Sequence, residues 1–198
     1  MARTMAQGED GGSTRRNARG LKKTVALVGM MGAGKTAVGK ALAARLGVPF
    51  LDSDAEIVKA ADRSIAEIFA EHGEAFFRSR ETEVIGRLLE NERAILSTGG
   101  GAFLSQTNRD MIADKGVAVW LKADLDLLWS RVRHKNTRPL LRTDNPYETL
   151  KALVAEREPF YAQAGIVVTA APKLSIEAMA EKVVEALSAH GGILEEDQ

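Results

Sequence analysis

The sequence predicts an α/β fold in which helices cover both faces of a five-stranded parallel sheet. Five short apolar segments alternate with helical patterns of apolar residues, as expected of parallel strands that are joined by helices. A glycine-rich segment, 29–36, joins the first strand to the first helix and fits G-x-x-x-x-G-K-[ST] at each fixed position. The chain has 198 residues, which suits one packed domain rather than two.

The first strand and the first helix flank this glycine-rich segment directly. Residues 24–28 are β-branched and apolar like a buried parallel strand, and residues 36–46 carry Val38, Leu42 and Leu46 at helical spacing. Because strand, turn and helix are contiguous, a chance match to the pattern is a poor explanation.

The segment has the residue types that a nucleoside triphosphate requires. Gly29, Gly32 and Gly34 leave the backbone open, so successive N–H groups can surround a phosphate at the positive end of the helix. By analogy with other such loops, Lys35 is expected to reach the β- and γ-phosphates, and the Thr36 hydroxyl to bind Mg²⁺.

The charge of the chain is balanced, with 27 Lys and Arg residues against 27 Asp and Glu residues. Without a net basic field, the protein is expected to bind small molecules and neither nucleic acid nor a membrane surface. The absence of cysteine excludes disulfides and thiol chemistry and fits a reducing compartment. No apolar run approaches the roughly 20 residues of a membrane helix.

Both ends of the chain are predicted to be tails. Residues 1–20 lack apolar periodicity and the apolar centre of a secretory signal, so they are expected to be disordered. Their arginines could indicate organelle targeting, but two acidic residues beside them disfavour it. Residues 191–198 are expected to fray, which leaves a single domain over 21–190.

Two aspartates follow the second predicted strand, 48–51. In an extended segment alternate side chains share a face, so Asp52 and Asp54 are expected to point the same way at the carboxyl end of the strand. Ligands bind at that end in open α/β sheets. The alternative role, capping the helix that begins near Ala55, explains one of the two carboxylates but not both.

Helical patterning then breaks near 62–64, resumes, and stops again before Gly73. A longer helix is predicted from about Glu74, and it carries Arg78. A single arginine on a helix is usually solvated, so its position alone gives Arg78 no function.

The third predicted strand, 93–98, ends in three successive glycines, 99–101. Glycines at the carboxyl end of a strand allow a ligand or a phosphate group to approach the backbone closely, and a flexible turn rarely needs three. This strand lacks the aspartate that many nucleotide-binding proteins use for magnesium, which leaves Asp52 as the candidate.

The next elements follow from caps and apolar runs. Ser105 is expected to cap a helix that ends near Ala113, and residues 117–121 form another parallel-type strand. Asp124 is expected to cap a helix in which apolar spacing makes Trp129 a core residue.

Between residues 131 and 145 the pattern fails, and cations and turn formers dominate. We expect a mobile lid there, with a charged surface loop as the alternative. A helix follows from Pro146, then a last strand over 166–169 and a final helix over about 174–189. By analogy with small phosphate-transferring proteins of this class, the strand order is expected to be 2-3-1-4-5.

With these elements in place, the chain resembles the shikimate kinase family over nearly all of residues 22–187. Six separated motifs carry the resemblance: Gly-Met-Met-Gly-Ala-Gly-Lys-Thr, Leu-Asp-Ser-Asp, Ser-Ile-Ala-Glu-Ile-Phe with the later Phe-Arg, Ser-Thr-Gly-Gly-Gly, Arg-Pro-Leu-Leu, and Glu-Arg-Glu-Pro-Phe-Tyr. The resemblance implies a three-layer P-loop kinase fold. It also implies transfer of the ATP γ-phosphoryl group to the 3-hydroxyl of shikimate, a step in aromatic amino acid (chorismate) biosynthesis.

The resemblance assigns the acceptor site residue by residue. Arg78 and Arg157 would bind the shikimate carboxylate, and Asp54 would bind the reacting hydroxyl and act as the base. The backbone of the three glycines would contact the substrate, and three apolar residues would form the pocket wall. These are Gly99, Gly100 and Gly101, with Ile65, Phe69 and Phe77.

The resemblance also assigns the nucleotide site. Lys35 and Arg138 of the lid would neutralise charge on the transferred group, and one Mg²⁺ would be held by Thr36 directly and by Asp52 through water. Arg131 is placed against adenine, with Arg133 as the alternative. The complete ATP-binding set is Gly32, Ala33, Gly34, Lys35, Thr36, Arg131 and Arg138.

Two other interpretations are a kinase of another small hydroxy acid, such as gluconate, and a nucleotide-binding protein without transferase activity. The triple glycine and the Arg78/Arg157 pair disfavour the first. The presence of Lys35, Asp54 and Arg138 disfavours the second. We therefore expect a cytoplasmic monomer that binds ATP and shikimate.

Overall fold

Five parallel strands form the central sheet of the protein. The computed structural model describes residues 20–134 and 139–195. The strands are β1 (Thr24–Val28), β2 (Phe50–Asp52), β3 (Ile95–Ser97), β4 (Gly116–Lys122) and β5 (Ile166–Thr169). Their order in the sheet, β2-β3-β1-β4-β5, confirms the predicted order.

Seven helices and two short 3-10 turns connect the strands. The helices are α1 (Lys35–Leu46), α2 (Ser53–Ala61), α3 (Ile65–Asn91), α4 (Gln106–Lys115), α5 (Leu125–Val132), α6 (Pro146–Tyr161) and α7 (Ile176–His190), and the 3-10 turns are Ala102–Leu104 and Pro139–Leu141. Within the described ranges, none of these helices is both long enough and apolar enough to span a bilayer.

Side-chain caps start several helices where the sequence predicts them. The Leu127 N–H donates to Asp124 Oδ1 at 2.8 Å at the start of α5, and Ser105 caps α4 in the same way. Such caps satisfy backbone N–H groups that the first turn of a helix leaves unpaired. The predicted starts of α4 and α5 are therefore confirmed.

The first strand lies at the centre of the sheet, and all five of its residues are buried. In the pairing register Leu27 lies opposite Ser97, and Asp52 lies opposite the same serine from the other side of β3. The carboxyl ends of β1, β2 and β3 therefore meet at one edge, where the phosphate-binding loop begins.

Helix α3 is interrupted at Gly73, where φ is 79° and ψ is 177°. Before this point the helix starts with a capping box, in which Ser64 and Glu67 each accept from the backbone of the other. The predicted break at Gly73 is confirmed, and it separates the turn that carries Phe69 from the long segment that carries Arg78.

The C-terminal segment departs from the prediction of a frayed tail from residue 191. Ile193 is only 3% exposed and packs in the main core, while Leu194 pairs with Leu21 in an antiparallel bridge. Backbone N–H groups of Lys22 and Glu195 extend this contact, donating to Ile193 O and Gly20 O at 2.8 and 3.0 Å. The fold therefore extends to Glu195, because an apolar side chain five residues beyond α7 reaches the core. The remaining tail predictions concern residues 1–19 and 196–198, which lie outside the described residues.

Candidate functional site

A cavity of about 490 Å³ lies at the carboxyl edge of the sheet. It brings together the phosphate-binding loop, both predicted aspartates, the end of β3 and the segment after β5. Its lining residues are 31–38, Asp52, Asp54, Ser97, Thr98, Gly99, Gly100, Arg131, Ala170, Leu174, Ser175, Ile176 and Met179. The two halves of the predicted site, nucleotide and acceptor, thus share one space.

The phosphate-binding loop has the backbone that its glycines predict. Gly29, Gly32 and Gly34 have φ values of 138°, 82° and 96°, which glycine adopts far more readily than other residues. Lys35 opens α1, and its Nζ donates to Gly29 O at 2.7 Å and to Met30 O at 3.1 Å. These two bonds hold the lysine side chain folded back along the loop, with its charge at the cavity.

Helix α5 packs closely against this loop. Arg131 Nη1 donates to Gly32 O at 3.1 Å, and a Cβ on Gly32 would lie 2.7 Å from Val132 Cγ1. Of the two arginines considered for the nucleotide, Arg131 lines the cavity, whereas Arg133 is exposed. In this structure Arg131 braces the phosphate loop, so the loop conformation depends on α5 as well as on its own glycines.

The two aspartates reach the cavity by a route that differs from the predicted one. Asp52 is the N-cap of α2, since its Oδ1 accepts from Asp54 N at 3.0 Å and from Ala55 N at 3.2 Å. Asp54 belongs to the first turn of α2 and not to an extended segment. The argument from strand alternation is therefore wrong, because the strand ends at Asp52, although both carboxylates do line the cavity.

The pKa of Asp54 is raised above its ordinary value. Burial is the largest cause and the neighbouring Asp52 carboxylate adds to it, while the charges of Lys35 and Arg78 offset part of the increase. A carboxylate with a raised pKa accepts a proton more readily than an ordinary one, which is the property that a general base requires.

The three successive glycines are the point where the acceptor residues meet. At each glycine, a Cβ would approach a different predicted side chain: Asp54 Oδ1 at 2.9 Å from Gly99, Arg157 Nη1 at 3.5 Å from Gly100, and Arg78 Nη2 at 2.5 Å from Gly101. None of the three has a left-handed φ. Their glycine identity therefore reflects close approach of charged side chains rather than backbone strain.

Glu81 is a residue of this site that the sequence reasoning missed. Its side chain is 1% exposed, and its Oε2 accepts from Arg78 Nη1 at 2.8 Å. Burial raises the pKa of Glu81, whereas the hydrogen bond and charge of Arg78 lower it and the nearby Asp54 raises it further. The available signal was spacing, since Glu81 lies three residues after Arg78 and on the same helix face as buried apolar residues.

The segment after β5 is the second part of the site that the sequence reasoning missed. Ala170, Leu174 and Met179 give the cavity an apolar end near the amino terminus of α7. The sequence pattern shows these residues only as the lead-in to a surface helix. No motif marks the segment, and only the position of β5 beside β4 brings it to the cavity.

The remaining predicted residues have different positions. Phe77 is 4% exposed and belongs to the core beneath α3, whereas Phe69 is 37% exposed and its ring centroid lies 4.7 Å from that of Phe77. The Arg78 guanidinium lies 5.2 Å from the Phe77 ring centroid. Of the predicted lid, 131–134 and 139–145 are described, and Arg138 lies outside the described residues.

A magnesium site built only from protein side chains is not present in the described part of the chain. No group of three or more His, Cys, Asp or Glu residues there could hold a metal ion. The Thr36 hydroxyl and the Asp52 carboxylate do line the same cavity. This small set of oxygen donors fits Mg²⁺, which keeps several waters and completes its shell with substrate phosphates.

Comparison with known proteins gives a consistent result. A sequence model of the family described as shikimate kinase matches residues 31–188. The shikimate kinases of Cereibacter sphaeroides and Ruegeria pomeroyi are each 61% identical over 178 residues, which cover 90% of this chain and 89% and 91% of those relatives.

A solved structure shares both fold and sequence. It is the shikimate kinase from Acinetobacter baumannii in complex with shikimate, which superimposes with a TM-score of 0.76 at 37% identity. The match covers 82% of this chain and 91% of that one. On the family match, the sequence identity and the shared sheet order, the chain belongs to the shikimate kinase family.

Proposed function

We propose that this protein transfers the γ-phosphoryl group of ATP to the 3-hydroxyl of shikimate, forming ADP and shikimate 3-phosphate on the route to chorismate. The observation that carries the proposal is the convergence of Asp54, Arg78 and Arg157 on the three glycines 99–101, beside a phosphate-binding loop. A carboxylate and two guanidinium groups match an acceptor that has one acid group and a hydroxyl to be phosphorylated.

The nucleotide half of the cavity binds ATP through the loop. The backbone of Gly32, Ala33 and Gly34 surrounds the phosphates, and Lys35 turns from the loop carbonyls to the transferred group. Arg131 would keep the loop in shape and present its guanidinium plane to the base. Arg138, on the lid, would add a second cation and help to exclude water.

Thr36 and Asp52 are the residues that would hold magnesium. Both helix-cap bonds of Asp52 fall on Oδ1, so a water ligand of the ion would be accepted by Oδ2. The ion would neutralise phosphate charge and fix the orientation of the transferred group.

The acceptor half orients shikimate for attack. Arg78, held by Glu81, and Arg157 would bind the carboxylate, which places the ring between α3, α6 and the glycines. Asp54 would accept the proton of the 3-hydroxyl as that oxygen bonds to the γ-phosphorus and the bond to ADP breaks. Phe69 and Phe77 would close the apolar side of the pocket.

The test measures ADP formation by the purified protein with Mg-ATP and shikimate, gluconate, quinate or no acceptor. Strong dependence on shikimate is expected. Activity with gluconate alone would replace the acceptor assignment, and ADP release with none of the acids would favour a non-catalytic nucleotide binder. The same preparation tests two further proposals, that the protein is a monomer and that it acts in the cytoplasm, by sedimentation and by cell fractionation.

A further inference from the structure

Tyr161, the last residue of α6, has a buried hydroxyl that the proposed reaction does not use. The side chain is 1% exposed, and its hydroxyl donates to Gly100 O at 2.5 Å across 61 residues of sequence. Buried tyrosine hydroxyls need a hydrogen-bond partner, and here the partner is the middle one of the three glycines.

The same hydroxyl also faces Arg157. The two residues are four apart on α6, so their side chains share one face of the helix. The charge of Arg157 and its hydrogen bond to the Tyr161 oxygen lower the pKa of Tyr161, but burial has the larger effect and raises it. Arg157 Nη1 in turn lies 3.5 Å from the position of a Cβ on Gly100. One hydroxyl, a donor and an acceptor at once, therefore touches two elements of the acceptor site.

The surroundings hold this hydroxyl in place. The Tyr161 ring packs against the Trp120 ring with centroids 6.1 Å apart. The preceding residue, Phe160, lies under the Arg109 guanidinium at 5.2 Å, and Arg109 donates to Phe103 O and Leu104 O at 2.8 Å each. The end of α6 thus grips the segment that follows the glycines through two adjacent aromatic residues.

We propose that Tyr161 is a positioning residue of the acceptor site, which fixes the Gly100 backbone and the Arg157 guanidinium relative to each other. It acts through these two groups and does not contact the acceptor. The inference rests on the proposed function, because it assigns Arg157 to the acid group of that acceptor. Removing the hydroxyl leaves a buried carbonyl without its donor and gives the guanidinium a wider range of positions.

The test compares Tyr161→Phe with Tyr147→Phe. Tyr161→Phe keeps the ring packing and removes one oxygen, so we expect the KM for shikimate to rise about five- to tenfold while the KM for ATP stays within about twofold. Tyr147 is the matched control, since its hydroxyl is exposed and 3.5 Å from Asp126. Tyr147→Phe is expected to leave both KM values unchanged.

Other outcomes separate a positioning role from a structural one. Lower unfolding stability of Tyr161→Phe with both KM values unchanged would overturn the proposal, as would equal increases in both. In the Tyr147→Phe protein Tyr161 is the one remaining tyrosine, so its alkaline absorbance change reports its pKa directly. Titration above the ordinary range supports the buried hydroxyl contact, and ordinary titration overturns it. Because that readout needs no substrate, it distinguishes this failure from a wild-type protein that phosphorylates no shikimate, which would overturn the proposed function.

Discussion

At the scale of single residues, the acceptor site depends on glycines that leave room for charged side chains. The backbone at 99–101 is conformationally ordinary, so another residue could adopt it. The obstacle is space, because a Cβ at these positions would meet groups that the proposed reaction needs. A substitution there is therefore expected to disturb binding more than folding.

Gly101→Ala tests this directly. Its Cβ would lie 2.5 Å from Arg78 Nη2 and 2.8 Å from Nη1, so the flexible guanidinium must move away from Glu81. We expect the KM for shikimate to rise on the order of tenfold or more, since a charge-assisted contact is lost, with the KM for ATP nearly unchanged. Gly165→Ala is the control, because its Cβ would meet nothing closer than 3.9 Å. A normal shikimate KM in Gly101→Ala would contradict the argument.

Asp54→Asn tests the proposed base. The amide keeps the shape of the side chain but cannot accept the proton, so kcat is expected to fall by about 10²-fold or more. The measurement is steady-state ADP formation at saturating ATP and shikimate. Asp62→Asn provides a control on the same helix, since Asp62 has a left-handed φ of 51° that asparagine tolerates. Turnover near wild type in Asp54→Asn would assign the proton to another group.

The raised pKa of Asp54 also predicts how stability depends on pH. Because the pKa is higher in the folded than in the unfolded chain, the folded protein binds the proton more tightly. This group therefore lowers the free energy of unfolding as pH rises between the two pKa values. Asp54→Asn removes that contribution, so its stability relative to wild type is expected to be greater at neutral pH than at acidic pH. Urea unfolding at both pH values measures it, and a relative stability that increases on acidification would contradict it.

At the scale of elements, Gly73 divides α3 into two segments with different directions. The turn before it carries Phe69, and the long segment after it carries Arg78 and Glu81. The conformation at Gly73, with φ of 79° and ψ of 177°, is one that essentially only glycine adopts. The break is thus a local property of the sequence that sets the position of two parts of the site.

Gly73→Ala is expected to lower the free energy of unfolding by about 1–3 kcal/mol. A Cβ there would meet nothing within 4 Å, so the cost arises from the backbone and not from a clash. Denaturant unfolding measures the change. Gly86→Ala, in the regular helical part of α3, is expected to change stability by less than about 1 kcal/mol. Equal stabilities for the two variants would show that the break is not required.

At the scale of the whole molecule, the two ends of the described chain close on each other. The Leu21 to Leu194 bridge joins the start of β1 to the segment after α7, and Ile193 fills the core beside them. The last element is therefore tied to the central strand by both backbone and side chain. This closure lies outside the motifs that point to the family.

Ile193→Ala is expected to lower the free energy of unfolding by about 2–5 kcal/mol, the usual range for truncating a buried isoleucine. Val167→Ala, which shortens a half-exposed side chain on β5, is expected to have a smaller effect. Thermal or urea unfolding measures both. If Ile193→Ala matched wild type, the segment after α7 would be a loosely held tail, as the sequence pattern suggests.

The sequence by itself determined the features that depend on near neighbours in the chain. The phosphate-binding loop, the caps at Ser105 and Asp124, the break at Gly73 and the alternation of strands and helices all follow from local chemistry and periodicity. The candidate acceptor residues, Asp54, Arg78 and Arg157, could be named because motifs carry them. Their convergence could not be read from spacing, since 103 positions separate the first from the last.

Only the tertiary structure decided which groups share a space. Glu81 looks like an ordinary helix-surface acid in the sequence, and Tyr161 looks like an apolar residue at a helix end. Both become part of the site because β3 lies between β1 and β2, which brings the three glycines between α3 and α6. Ile193 is the same case at the chain end. The physical reason is that burial and long-range pairing, which set pKa values and fix buried hydrogen bonds, depend on neighbours distant in sequence.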